Sequence, residues 1–127
     1  MKTLLPTTLA VLSVSLSGCY LEIEVPEGGH VVSASGAYHC GPAETCRLPV
    51  VDIHFDEGFK AVAHTGYIFT GWERRNGAFC GGNLRDCRLS TAGFADSEPL
   101  MQLLESDQTF YLVPVFERLT WDNGVYR

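Results

Sequence analysis

The stretch AVAHTGYIFTGW, residues 61–72, decides the fold class. In the residues that lead into it, Phe59, Ala61 and Ala63 alternate with Lys60, Val62 and His64, a period of two that is typical of a half-buried strand. An aromatic run follows between two glycines, Gly66 and Gly71, which permit tight turns or close backbone approach. Tyr67 and Phe69 fall on one face by alternation, and with Trp72 they supply core area. The stretch therefore predicts two strands joined by a short turn.

Outward from this centre, the β pattern continues in both directions. The segments are 20–26 (YLEIEVP, a short strand or an extended tether), 28–35 (GGHVVSAS), 48–55 (LPVVDIHF, with Val51, Ile53 and Phe55 inward) and 107–118 (DQTFYLVPVFER). Pro114 cannot donate to a ladder, so it belongs at an edge or a bulge. One segment differs: Ser97 as N-cap, Pro99 in the first turn and leucines at helical spacing predict a helix over 98–106, with its Leu stripe in the core.

The N-terminus has the layout of a signal peptide. Lys2 is followed by an uncharged apolar stretch over 4–16, which is too short for a transmembrane helix of about 20 residues. The end of this segment, LSGC at 16–19, resembles the lipobox of bacterial lipoproteins. The resemblance implies cleavage after residue 18 and acylation of Cys19, and Tyr20 after the cysteine favours the outer membrane. The alternative is an ordinary secreted protein with a cysteine near its cleavage site.

Four of the five cysteines remain once Cys19 is set aside, and four allow three connectivities. Each neighbouring pair closes a short loop rich in turn residues, which favours the disulfides Cys40–Cys46 and Cys80–Cys87 in an oxidising compartment. A zinc site with His39 as a further ligand is the alternative, but these gaps are wider than the usual C-x₂₋₄-C.

The segment 28–117 resembles the internalin B-type repeat family, also called the Listeria–Bacteroides or bacterial repeat domain. The family signature G-Y-x-F-x-G-W is met by Gly66, Tyr67, Phe69, Gly71 and Trp72. The family pattern also includes an opening G-G-x-V, two cysteine pairs and a final alternating strand. This chain has them as Gly28-Gly29-x-Val31, the two pairs named above and a strand that ends at Phe116. The resemblance implies a small β-grasp-like sheet domain that serves as a structural or adhesive module without a shared catalytic centre.

The resulting domain plan has five parts: a lipoprotein signal peptide (1–18), a lipidated cysteine with a short tether (19–27), a repeat-like β domain (28–118), an insertion within it (about 92–107) and a C-terminal tail (119–127). The fold class expected is mainly β with one short helix, stapled by two local disulfides.

The charge balance limits the partners. Nine basic residues face fifteen acidic ones, a net charge of -6, and no basic run is present. Removal of residues 1–18 takes away only Lys2, which leaves eight against fifteen, or -7. Phosphate backbones repel such a chain, so no nucleic acid partner is expected.

Several side chains are candidates for binding or catalysis, and each also has a purely structural or solvent-exposed interpretation. His54 and His64 with Asp52 or Asp56 could make a surface metal site, although two solvated histidines are the favoured interpretation. Glu73, Arg74 and Arg75 form a solvated turn or an anion site. Trp72 and Tyr67 could form a glycan platform instead of core, and Trp121 in the tail is the candidate partner contact. Without a nucleophile motif, a phosphate loop or H-E-x-x-H, no enzyme, cofactor or metal is expected.

The sequence thus predicts a lipid-anchored protein of the bacterial envelope. Its partners are the membrane, through the N-terminal lipid, and an unidentified envelope protein or glycan. The domain is expected to act as a structural, adhesive or protein-interaction module. The alternative is a glycan- or peptidoglycan-binding module that uses exposed aromatic side chains such as Trp121.

Overall fold

The protein is mainly β with one short helix, as predicted. The structure is a computed structural model that describes residues 18–122 and 125–126, with side chains through residue 120. The strands are β1 (Cys19–Glu24), β2 (Gly29–Ser33), β3 (His39–Cys40), β4 (Thr45–Val50), β5 (Asp56–Ala63), β6 (Tyr67–Trp72), β7 (Cys87–Ser90), β8 (Thr109–Leu112), β9 (Pro114–Arg118), β10 (Trp121–Asp122) and β11 (Val125–Tyr126). The helix α1 spans Glu98–Leu104.

The first strand lies in the middle of a sheet. β1 pairs antiparallel with β4 on one side and parallel with β8 on the other. Its alternating sequence buries Cys19, Leu21 and Ile23 at 7%, 2% and 1% exposure, so the strand contributes one whole face to the core. Of the two alternatives for 20–26, a short strand or an extended tether, the structure shows the strand over Cys19–Glu24, because the backbone pairs with β4 and β8 and the apolar face packs into the core.

A second sheet has four antiparallel strands in the order β3-β2-β5-β7. It buries Val31 from β2 and Phe59 from β5, together with one cysteine from each edge strand, Cys40 and Cys87. The strand β2 lies within the predicted segment 28–35, whereas β5 begins at Asp56, three residues before the alternation that predicted it. Alternation identified them because only one face of the sheet is buried.

The strands β6 and β9 form a separate antiparallel pair with a bulge between Phe69 and Gly71. The segment predicted as one strand over 107–118 is two strands, interrupted at Val113. Its first half pairs with β1 and its second half pairs with β6. Pro114 is the first residue of β9, a position where its missing N–H breaks no ladder.

The predicted strand over 48–55 ends early. β4 stops at Val50, and Val51 is 47% exposed at the start of a turn. Asp52 Oδ1 accepts a hydrogen bond from the His54 N–H at 2.8 Å, the local bond of an Asx turn. The Thr91 hydroxyl holds the turn from the other side, donating to the Asp52 carbonyl at 2.9 Å and accepting from the Phe55 N–H at 3.2 Å.

The segment 92–107 holds a 3₁₀ turn at Phe94–Asp96 and then α1. The helix begins where the sequence predicts, but Ser97 at its N-cap makes no side-chain capping bond. Of the leucine stripe, Leu104 is 4% exposed and Leu100 is 37% exposed, so only part of it is core. In the described part of the chain, no helix has the length and apolar character needed to cross a bilayer.

Candidate functional site

Both predicted disulfides are present. The Cys40–Cys46 bond has a Cα–Cα distance of 6.0 Å, and the Cys80–Cys87 bond has one of 5.9 Å. The two bonds differ in what they connect. Cys40–Cys46 connects β3 of the four-stranded sheet to β4 of the three-stranded sheet, and Cys80–Cys87 ties the loop after β6 to β7. The Cys40–Cys46 bond therefore holds together two sheets that share no backbone ladder, whereas the Cys80–Cys87 bond fixes a loop to the edge of the four-stranded sheet.

The zinc alternative loses its ligands in this arrangement. Cys40, Glu44 and Cys46 do lie close enough together to hold an ion. Zinc binds cysteine as a thiolate, and here the two sulfur atoms are bonded to each other. His39 does not complete this group; its ring stacks on His30 instead, at 5.0 Å between centroids.

The aromatic signature residues form core contacts. Trp72 is 2% exposed, and its Nε1 donates a hydrogen bond to the Arg85 carbonyl at 2.8 Å. Phe69 packs edge-on against it at 5.3 Å and tilts against Phe116 at 6.0 Å. A glycan platform needs an exposed ring face, so Trp72 cannot serve as one here.

The two signature glycines both have left-handed backbone. Gly66 has φ +90 at the turn into β6, and Gly71 has φ +127 at the bulge, where a Cβ would lie 3.3 Å from the Asn83 carbonyl oxygen. Tyr67 packs its ring on Gly28 and accepts a hydrogen bond from Arg118 at 3.2 Å. The partly buried Tyr67 ring is thus covered on one face by backbone.

The Glu73-Arg74-Arg75 turn is already engaged within the protein. Arg75 Nη2 lies 2.6 Å from a Glu24 carboxylate oxygen, and its guanidinium stands 4.7 Å above the Tyr111 ring. The hydrogen bond to Glu24 raises the pKa of Arg75. Arg74 packs against the Gly81–Gly82 backbone. An anion at this turn would compete with Glu24 for Arg75.

The alternative of a metal site made by His54 and His64 is wrong, because the two histidines lie far apart. His54 lies in the turn before β5 and His64 follows the end of that strand. An eight-residue strand separates them by about 25 Å at roughly 3.3 Å per residue. Asp52 and Asp56 lie at the His54 end, with Asp56 paired to Arg88 at 3.0 Å.

Three histidines instead come together on the outer face of the four-stranded sheet. His30 Nδ1 and His64 Nε2 lie 2.7 Å apart, and the His30 ring is 5.0 Å from the rings of both His39 and His64. Burial, followed by the charges that His39 and His64 carry when protonated, lowers the pKa of His30. We call these three residues the histidine cluster. Sequence reasoning missed it because the strand register that brings the residues together was not known.

Cys19 is the free cysteine of the described residues, and it is buried. Its Sγ lies 3.6 Å from the Val50 carbonyl oxygen, and burial raises the pKa of the thiol. The residue also lines an apolar cavity of about 170 Å³. The other walls are mostly aromatic and aliphatic side chains, among them Phe55, Phe79, Phe94, Leu103 and Phe110.

Trp121 begins the C-terminal hairpin of β10 and β11, where it pairs with Tyr126. Its side chain lies outside the described part of the chain, as do residues 1–17 of the predicted signal peptide (1–18). Comparisons with protein-family models, with curated proteins and with solved structures found no match to this chain.

Proposed function

We propose that this chain is a lipid-anchored protein of the bacterial envelope, most consistent with the outer membrane, whose β domain is a structural, adhesive or protein-interaction module without catalytic activity. The observation that carries the proposal is the odd cysteine: four cysteines pair, and the fifth is the last residue of LSGC. A lipid on Cys19 accounts for it. The resemblance of 28–117 to bacterial repeat domains supports the modular role.

The disulfides support the compartment. Thiols stay reduced in the cytosol, whereas disulfides form and persist in the periplasm and at the cell surface. Both bonds close short loops, and Cys40–Cys46 also joins two sheets, as expected of structural rather than redox-active bridges. An exported chain, anchored by a lipid on its first residue, would reside in such an oxidising compartment.

The surroundings of Cys19 support an order of events. A cysteine reacts as its thiolate, and burial of Cys19 disfavours that form in the folded domain. Under this proposal, acylation precedes the docking of β1 between β4 and β8. A cavity of about 150 Å³ can hold a benzene-sized molecule, so the cavity beside Cys19 admits a few methylenes of the attached lipid. The remaining acyl length enters the bilayer, where two or three chains give stable anchoring.

The test is the intact mass of the protein extracted from native membranes, with thiols counted by alkylation before and after reduction. The expected mass is that of residues 19–127 plus acyl chains, with no free thiol before reduction and four after it. The matched variant Cys19→Ala should lose the acyl mass and partition into the soluble envelope fraction. An unlipidated wild-type protein with one free thiol overturns the anchor and leaves an ordinary secreted domain.

The module role is tested separately. A protein-interaction module should give the same cross-linked envelope partner from lipidated protein and from Cys19→Ala, because the domain and not the lipid makes the contact. The alternative, glycan or peptidoglycan binding through Trp121, predicts signal on a glycan array that Trp121→Ala abolishes. A silent array rejects the glycan alternative, and a cross-linked partner that disappears with the lipid rejects the interaction module.

A further inference from the structure

We propose that the histidine cluster, His30, His39 and His64, binds one divalent transition-metal ion of the Zn²⁺, Cu²⁺ or Ni²⁺ class on the outer face of the four-stranded sheet. The site is independent of the lipid anchor, since none of its residues lies on β1 or lines the cavity at Cys19.

Strand register places the three side chains on one face. His39 is paired with Val32 and His30 is paired with Val62, and paired residues share a face. His64 follows Ala63, the partner of Gly29, so it stands diagonally across from His30. Three of the four histidines in the chain therefore meet across three adjacent strands.

The His30–His64 pair suits a bound ion after a small opening, whereas His39 has to turn out of its stack on His30 to bring a nitrogen to the same ion. His30 Nδ1 and His64 Nε2 are 2.7 Å apart. Two nitrogens at about 2.0–2.1 Å from a tetrahedral zinc lie roughly 3.3 Å apart, so the pair must open by about 0.6 Å. The side chains of His39 and His64 are exposed, so solvent and not protein lies where they would move. A third nitrogen from His39 would leave one position for water or for a partner's ligand.

The chemistry of the donors selects the class of ion. Imidazole nitrogen suits zinc, copper and nickel, whereas calcium and magnesium require oxygen ligands. A histidine binds metal through an unprotonated imidazole nitrogen, so metal binding competes with protonation of the cluster. Lys60 shares this face, opposite Val32, and its positive charge opposes the binding of a cation.

Within the described residues, the side-chain hydrogen bond that holds these rings is the one between His30 and His64. A metal would replace this weak link between two exposed groups. The Cys40, Glu44 and Cys46 group does not compete for the ion while its disulfide is intact.

The experiment is isothermal titration of the oxidised, chelator-treated protein with ZnCl₂ and, separately, NiCl₂. We expect one ion per chain, and at least a tenfold weaker affinity in each of His30→Ala, His39→Ala and His64→Ala. His54→Ala is the matched control, because it removes an exposed histidine outside the cluster and should leave the affinity unchanged. Circular dichroism checks that each variant is folded.

A second measurement needs no variant. In wild-type protein, substoichiometric Cu²⁺ should broaden the imidazole NMR resonances of the cluster before those of His54. Equal broadening of all four histidines, no heat of binding up to 1 mM metal, or unchanged affinity in folded His30→Ala would each overturn the proposal.

Discussion

Removal of the Cys40–Cys46 bridge tests whether the disulfides hold the sheets together. The bond joins residues six apart, and the chain-entropy relation for so short a loop gives about 2.4 kcal/mol. Cys40 is also 1% exposed, so replacing it with alanine removes a buried sulfur atom at a cost of roughly 1 kcal/mol. The double variant Cys40→Ala/Cys46→Ala should therefore lose about 3 kcal/mol of unfolding free energy.

The assay is urea denaturation followed by circular dichroism, with the midpoint and the slope fitted together. Loss of stability with an unchanged slope means that the native state is the same and only its free energy has changed. The Cys80→Ala/Cys87→Ala variant is the matched comparison, since its bond spans a separation of seven and buries Cys87 completely. The relation gives it nearly the same loss, about 2.5 kcal/mol plus the buried sulfur.

A loss below about 1 kcal/mol in the Cys40–Cys46 variant would refute the entropic reasoning. The reasoning would also be refuted if removing the Cys40–Cys46 bond, which closes the shorter loop, cost much more stability than removing the Cys80–Cys87 bond. The first outcome would mean that the turn residues between Cys40 and Cys46 already hold the ends together in the unfolded chain. The second would mean that contacts between the sheets, and not loop closure, set the effect.

Three further predictions follow from single residues. Trp72→Ala should lower the free energy of unfolding by about 3–5 kcal/mol in the same assay, because the ring is buried. The control Ile68→Ala, on the exposed side of the same strand, should lower it by under about 1 kcal/mol. Similar losses in both variants would contradict a core role for Trp72. Cys80 has φ +59, so Cys80→Gly/Cys87→Ala should be more stable than Cys80→Ala/Cys87→Ala by about 1 kcal/mol, and equal midpoints would show that the turn relaxes once the bridge is gone. The pKa of His30 is lowered in the folded state, so the unfolded chain binds the proton more readily and the stability should fall as the pH drops below about 6.5. The denaturation midpoints at pH 7.5 and pH 5.0 should therefore differ less in His30→Gln than in the wild-type protein. An equal difference in both proteins would assign the pH effect to other groups.

The sequence was most informative where only one face of a strand is buried. The alternation around Phe59 predicted β5, and the aromatic run between Gly66 and Gly71 predicted β6. In both strands one side faces solvent, so apolar residues recur at every second position. The disulfides were also predictable, since turn residues within each loop bring the cysteines together. These features depend on contacts between residues that are near in sequence.

The errors arose where distant residues decide the local structure. The apolar alternation of Val51, Ile53 and Phe55 is that of a strand, yet the segment turns because Asp52 bonds to its own backbone and Thr91 holds it from 39 residues away. The break at Val113 has the same cause, since β8 and β9 belong to different sheets. The histidine cluster was out of reach for a related reason: it depends on the register between β2, β3 and β5.

The position of β1 changes what a lipid on Cys19 would do. A tether would let the domain move away from the membrane and meet partners at a distance. The strand instead begins at Cys19 itself, and the next residue already donates its backbone N–H to Gln108 at 2.9 Å. No flexible spacer remains between the proposed anchor and the core, so the Cys19 end of the domain must rest at the membrane surface. With fifteen acidic residues against eight basic ones after residue 18, the domain gains no attraction from anionic headgroups. Under the proposed function, the lipid alone then supplies the attachment, and any partner of this domain must be reachable from the membrane plane.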